Sequence, residues 1–237
     1  MELPPIPARA TVSGNVFTRL VEEILSGRWP ADQPAPSERE LALTLQVNRH
    51  SVREALKRLQ QAGLVRIGQG GKTIVLDWRS HAGLDMLAAL TAAGVVPLGS
   101  AVLDTAIMRR TVGTHAARLC ALRADEQQLA AVSAAAADYP TSGDMNIFRD
   151  ADLILWTAII VGSGNITYRL ALNTLVRSID ELGREFYVNL DAAAFMDRQI
   201  HLDLAAAITE RDAELSAAIA YRSLSPLINL LAPDGQE

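Results

Sequence analysis

The chain is short of several things at once. Of its 237 residues one is cysteine, four are histidine and 5% are aromatic. The lone thiol, Cys120, excludes an internal disulfide framework and fits a reducing compartment; it lies in an apolar helical pattern and reads as a buried side chain. Apolar residues make up 49% of the chain, yet no run approaches the ~20 residues a membrane-spanning helix needs. No secretory signal is visible at the start, so a soluble, cytoplasmic protein with no membrane partner is expected. No Ser/His/Asp or Cys/His constellation is recognisable. Asp150 and Asp152 stand two apart on a helical pattern and do not converge, so the sequence does not read as an enzyme. The glycines of 68–71 open no helix, which excludes a phosphate-cradling nucleotide loop.

What is present is uneven charge. The net charge is −5. Residues 1–78 hold ten Lys and Arg against eight Asp and Glu, whereas residues 79–237 hold twelve against nineteen. Within 46–72 six basic residues face a single acidic one, Glu54. A basic segment on an acidic protein marks where a polyanion can bind.

That segment sits inside Ser37–Leu64, SERELALTLQVNRHSVREALKRLQQAGL. Ser37 and Glu40 form an S-x-x-E capping box, so a helix starts there, with Leu41 and Leu45 on one face. Gln46-Val47-Asn48 makes the corner, and Asn48 caps a second helix whose Val52, Ala55, Leu56 and Leu59 follow i, i+3, i+4, i+7. Gly63 stops it. On the other side Arg49, Arg53 and Lys57 recur every four residues with Arg58 beside them, while Asn48, Arg49, His50 and Ser51 crowd the helix start. Such a helix suits a DNA major groove, read from its N-terminal residues. Alone it could equally be an αα-hairpin with a solvated basic face. The next stretch, LVRIGQGGKTIVL, breaks the tie: two β-branched runs around a glycine loop make a basic wing, with Gln69, Gly70 and Lys72 at its tip.

The organisation expected from pattern is a flexible arm over 1–12, a winged helix-turn-helix domain over 13–77, a linker at 78–81 and a helical effector-binding and dimerisation domain over 82–237. The first helix spans about 13–26, with Val16, Leu20, Val21 and Ile24 inward; a proline-rich, turn-forming connector follows through Pro36. Helices are predicted at 82–93, 98–120, 124–137, 147–162, 166–189, 192–210 and 212–231. Alanine-rich and aromatic-poor, they suggest close packing, and bundles hold ligands between helices. The fold class is mainly α.

LxxEILSGRW followed by PSERELALTLQVNRHSVREALKRLQQAGLV resembles the N-terminal domain of GntR-type bacterial transcription regulators over roughly 14–76. The resemblance implies operator contacts at Arg39, Arg49, Ser51 and Arg53 and at the wing tip, Gln69 and Gly70. One departure is ADQPAPSER, which alters the connector and leaves the reading helix intact. The second half is similar to the all-α bundle of the FadR/FCD kind. In one subfamily an aspartate, a histidine four residues on and two later histidines bind a metal with a small carboxylate. The matching positions are Asp152, Trp156, His201 and Ser223, and two ligands do not close a site, so no metal cofactor is expected. His201 then reads as a capped or core histidine.

NIFRDADLILWTAIIVGSGNITYRLALNTL, LDWRSHAGLDML and LGREFYVNLDAA resemble the fatty-acid-responsive FadR subfamily, in which a long-chain acyl-CoA enters the bundle and releases DNA. The positions that match its ligand contacts are Arg110, Tyr221 and Ser225; Arg222 and Asn229 depart from its pattern. Trp156 in place of a metal ligand makes the pocket more apolar, which suits an acyl chain. Alternatively Trp156, Phe148, Leu155 and Phe186 merely fill the core, or another effector binds. The expected partners are thus double-stranded operator DNA, a small-molecule effector (acyl-CoA or fatty acid) and a second copy of the chain, two recognition helices meeting a palindromic site.

Overall fold

Helix α1, Val12–Leu25, turns Val16, Leu20, Val21, Ile24 and Leu25 inward, as its apolar spacing predicts. The computed structural model describes residues 12–68, 72–190 and 192–232, apart from the side chains of 181–190, 193 and 194. After α1 come α2, Glu38–Thr44, and α3, Arg49–Gln61, then strands β1, Val65–Ile67, and β2, Thr73–Val75. Antiparallel pairing sets Val65 against Val75, Arg66 against Ile74 and Ile67 against Thr73. The connector before α2 is more than a turn: Ala35 N–H donates to Thr73 O at 2.9 Å and Val75 N–H to Gln33 O at 3.0 Å. The outer edge of β2 is therefore covered within the chain, which removes an open strand edge.

Two compact units divide the chain, Met1–Val96 and Pro97–Glu237. The sequence reading places the domain boundary at 77–82. The stretch 78–81 is a short helix, α4, Trp78–His81, capped by Asp77. A single 3₁₀ turn, Leu84–Met86, then leads into α5, Leu87–Ala92. Met86 and Leu90, four residues apart, are buried in the same core as Leu20, Leu41, Leu56 and Leu64. Their spacing announces a buried helical face, and spacing does not say which core the face serves. Gly63 explains the join: at φ +72° it ends α3, and its α-carbon lies so close to the carbonyl of His81 that a β-carbon would collide.

The second unit is built around α6, Leu98–Arg123, which packs against α8, Met145–Gly162, α9, Ile166–Leu190, α11, Arg198–Thr209, α12, Ala213–Ser223, and α13, Pro226–Leu231. Helices α7, Glu126–Ala137, and α10, Ala192–Met196, complete it among the described residues. Ala101, Ala106, Ala116, Ala117 and Ala121 on α6 are buried, and their small side chains allow the close approach that an alanine-rich sequence suggests. The predicted helix 192–210 is broken at Asp197, whose carboxylate accepts the Ile200 amide at 3.1 Å and starts α11 anew. The predicted helix 212–231 is broken before Pro226, which lacks an N–H and takes the first turn of α13.

Candidate functional site

The recognition corner is held by two caps. Ser37 Oγ accepts the Glu40 amide at 3.3 Å while the Glu40 carboxylate accepts the Ser37 amide at 2.8 Å, which closes the capping box. The Ser37 hydroxyl also donates to that carboxylate at 2.7 Å, and it, ahead of the Ser37 amide, holds the Glu40 carboxyl below its ordinary value. Between the helices Gln46 takes φ +53°, and Val47 N–H reaches back to Ala42 O at 3.0 Å. Asn48 Oδ1 then accepts the Ser51 amide at 2.8 Å and starts α3.

With Val52, Ala55, Leu56 and Leu59 buried, the opposite face of α3 carries exposed Arg49, Arg53 and Lys57. Arg53 is not loose. Its Nε and Nη2 donate to the two oxygens of Glu38 at 3.0 and 2.8 Å, a bidentate pair across the helix-turn-helix. The Arg53 hydrogen bonds pull the Glu38 carboxyl below its usual range. Arg39, Arg49 and His50 are exposed and make no side-chain hydrogen bond or ion pair among the described residues, so their donors face solvent. Lys57 pairs with Glu54 at 3.1 Å.

Three of the residues at this corner have partners within the motif. Ser51 is only 8% exposed and contributes its amide to the cap, so at most its edge faces a partner. The Asn48 carboxamide oxygen is occupied by that cap. Arg58, grouped with the basic stripe by sequence, lies over the Phe17 ring of α1 at 4.1 Å and braces the core side instead. The wing leaves Lys72 exposed; Gln69 and Gly70 lie outside the described residues.

The second unit holds a cavity between α6, α8 and α9, closed by Phe195 of α10 and by Leu224. Its cavity volume is about 80 Å³, smaller than the few hundred Å³ of an open small-molecule site. Apolar side chains such as Val112, Trp156, Ile160 and Leu175 form the walls, and Arg109, Arg149 and Asp152 mark a polar end. Of the four ligand residues predicted from sequence only Trp156 lines it. Arg110, Tyr221 and Ser225 form a separate cluster: the Arg110 guanidinium lies 4.5 Å from the centre of the Tyr221 ring, and the Ser225 hydroxyl donates to Tyr221 O at 2.7 Å. Successive residues of a helix point roughly 100° apart, which sends Arg109 into the cavity and Arg110 away. Arg109 lines the cavity and was not singled out from sequence, because the phase of the helix against the cavity is not visible there.

Asp152 organises the polar end. One oxygen accepts Arg109 Nη2 at 2.7 Å, and the other accepts the indole N–H of Trp156 at 3.1 Å. His201 Nε2 stands 3.6 Å from that second oxygen, its ring stacked on Tyr139 at 4.1 Å and 16°. The His201 Nδ1 is buried without a hydrogen-bond partner. Among the described residues no third His, Cys, Asp or Glu joins Asp152 and His201 to make a metal cluster. No described helix is long and apolar enough to cross a membrane.

The comparisons with known proteins agree with this two-part reading. The family model for bacterial regulatory proteins of the gntR family matches residues 12–75, and that for the FCD domain matches 104–225. The HTH-type transcriptional regulator Mce2R of Mycobacterium tuberculosis is 32% identical over 200 residues, covering 82% of this chain and 80% of the relative. A fatty acid metabolism regulator protein of Edwardsiella ictaluri is 30% identical over 203 residues, covering 85% of this chain and 80% of the relative. In fold, the chain is similar to Lar, which controls expression of the Listeria monocytogenes agr system, at a TM-score of 0.55 and 14% identity over 96% of this chain and 99% of that one. By sequence match and by architecture, the chain belongs to the GntR family of bacterial transcription regulators, with a winged helix-turn-helix domain ahead of an FCD domain.

Proposed function

We propose that this regulator acts in the cytoplasm as a homodimeric repressor, and that an apolar-chain effector, a long-chain acyl-CoA or fatty acid, releases it from its operator. The observation that carries the effector reading is the cavity of the second unit, whose apolar walls run up to Arg109 and Asp152. Walls of this chemistry suit a hydrocarbon chain with a polar head at one end, and the lining helices must part to admit one, because the closed volume is only about 80 Å³. The names of relatives from Edwardsiella and Salmonella, fatty acid metabolism regulator proteins, favour the same class. Two α3 helices related by a two-fold axis would meet a palindromic site, with Arg39, Arg49 and Arg53 at base edges or phosphates. The family consists of regulators, which supports a regulator and not an enzyme.

Effector control is a coupling free energy between two sites, and it is reciprocal: a ligand that weakens DNA binding must itself bind more weakly to the DNA complex. Fluorescence anisotropy on a palindromic operator, with and without oleoyl-CoA and oleate, tests the reading. Release by either compound and not by free CoA supports it. Tight DNA binding that neither compound alters, with release by a short carboxylate, would replace the fatty-acid class with a small-metabolite effector.

A further inference from the structure

We propose that Lys57 of α3 and Lys72 of the wing are Nε-acylation sites, through which an activated acyl donor, an acyl phosphate or an acyl thioester, weakens DNA binding. The proposal goes beyond effector control and rests only on the DNA-facing role of α3 and the wing. Its starting point is an uneven choice of cation. Of the 22 basic residues 20 are arginine, and the two lysines, Lys57 and Lys72, both fall within the basic segment 46–72. The guanidinium of arginine stays protonated, whereas the lysine amine is the target of acylation. A donor that meets this chain therefore finds side-chain amines only in the segment that faces DNA.

Both amines are accessible. Lys57 lies one turn beyond Arg53 on the exposed stripe of α3, its own side chain 58% exposed. Lys72 is exposed where the wing enters β2. The neighbour of Lys57 sharpens the consequence: its Nζ stands 3.1 Å from Glu54, the single acidic residue of 46–72. In the reaction the deprotonated amine attacks the acyl carbon and a C–N bond forms. The C–S or C–O bond breaks, a thiol or phosphate leaves, and the ammonium proton passes to solvent. The amide that results carries no charge. Glu54 then loses its counter-charge and presents its carboxylate beside the phosphates. One acylation at Lys57 thus removes a cation and uncovers an anion.

The test treats the full chain with acetyl phosphate and, separately, with acetyl-CoA. Peptide mass spectrometry reads occupancy at each lysine, and anisotropy on duplex operator DNA reads affinity. Each acetylated lysine should lower affinity about fivefold at about 0.15 M salt and flatten the slope of log K against log salt by about one unit. Bound duplex should protect both amines from either donor. A chain carrying Lys57→Arg and Lys72→Arg controls for the amino terminus: donor treatment should leave its affinity where it started. Acetylation by one donor and not the other would support the proposal and identify the source. Full occupancy with unchanged affinity, an equal loss in the Lys57→Arg, Lys72→Arg chain, or no acetylation of either lysine by either donor would overturn it. An untreated chain that binds no DNA would remove the DNA reading, and this proposal with it.

Discussion

Glu38, at the start of α2, grips Arg53 of α3 through both carboxylate oxygens, Nε to Oε1 at 3.0 Å and Nη2 to Oε2 at 2.8 Å. The contact ties the two helices of the helix-turn-helix motif to each other. A planar guanidinium fixed by two bonds presents its remaining donors in one direction.

Replacing Glu38 by Gln should therefore separate specificity from attraction. The Glu38→Gln chain loses a negative charge beside the DNA and frees Arg53 for any phosphate, so affinity for random DNA rises while discrimination for the operator falls about tenfold, within the range of a lost bidentate contact. Arg53→Ala should instead weaken both and flatten the dependence of log K on log salt by about one unit. Anisotropy titrations at several salt concentrations compare the two variants. Identical slopes and identical specificity ratios would show that Glu38 does not orient Arg53.

Three carboxyls of the first unit are held below their ordinary value of 4.5: Glu23 by its hydrogen bonds from Arg28, Glu38 by those from Arg53, and Glu40 by the Ser37 hydroxyl and amide. A carboxyl with a depressed folded value stabilises the fold fully above its unfolded value, and the gain is lost as pH falls through the folded value. Melting temperatures of the full chain should thus hold from neutral down to about pH 5 and drop progressively in the acid range below it. The Glu38→Gln and Glu40→Gln chains should show a shallower drop. A profile unchanged by both substitutions would detach these contacts from acid stability.

The helix-turn-helix was legible because its signals are local. Ser37 with Glu40, Asn48 with Ser51, and the four-residue spacing of Val52, Leu56 and Arg49, Arg53 each involve residues within one turn of helix. The assignment of Met86 and Leu90 to the first unit was not legible, since a buried face does not name its partner. Nor were the cation–π seat of Arg58 on Phe17 and the pairing of Gln33–Ala35 with β2, which join residues far apart in sequence. In the second unit the sequence pointed to Asp152, Trp156 and His201 as neighbours, yet their meeting with Arg109 from α6 depends on the rotation of two helices about their axes.

Gln46 occupies the corner of the recognition motif at φ +53°, a left-handed conformation that costs an L-residue about 1–2 kcal/mol. Its side chain is exposed and buries nothing. Glycine reaches this conformation without the steric penalty, although its greater freedom in the unfolded chain takes back part of the gain. Gln46→Gly should raise stability by up to about 1 kcal/mol, read as a higher urea midpoint at unchanged slope, with operator affinity preserved. A lower midpoint would mean that the side chain contributes more than its exposure suggests.

Helices α6 and α8 approach closely where Gly162 meets Cys120: a β-carbon on Gly162 would lie 2.5 Å from the Cys120 Sγ and 3.3 Å from the Ala124 Cβ. Neither neighbour is the end of a flexible side chain, so Gly162→Ala forces backbone to move and should cost about 1–3 kcal/mol. Cys120→Ala removes the sulfur and leaves a small void, a mild loss by itself. In the double variant the void receives the new methyl, so the two losses should not add, and a double-mutant cycle should return a favourable coupling of about 1 kcal/mol or more. The same packing protects the thiol: burial pushes it up to about 11, so the native chain should react with a thiol reagent at neutral pH only as fast as it unfolds. Gly162→Ala, by lowering stability, should speed that reaction in proportion to the larger open fraction. Additive losses with unchanged thiol reactivity would place the constraint on Gly162 somewhere other than Cys120.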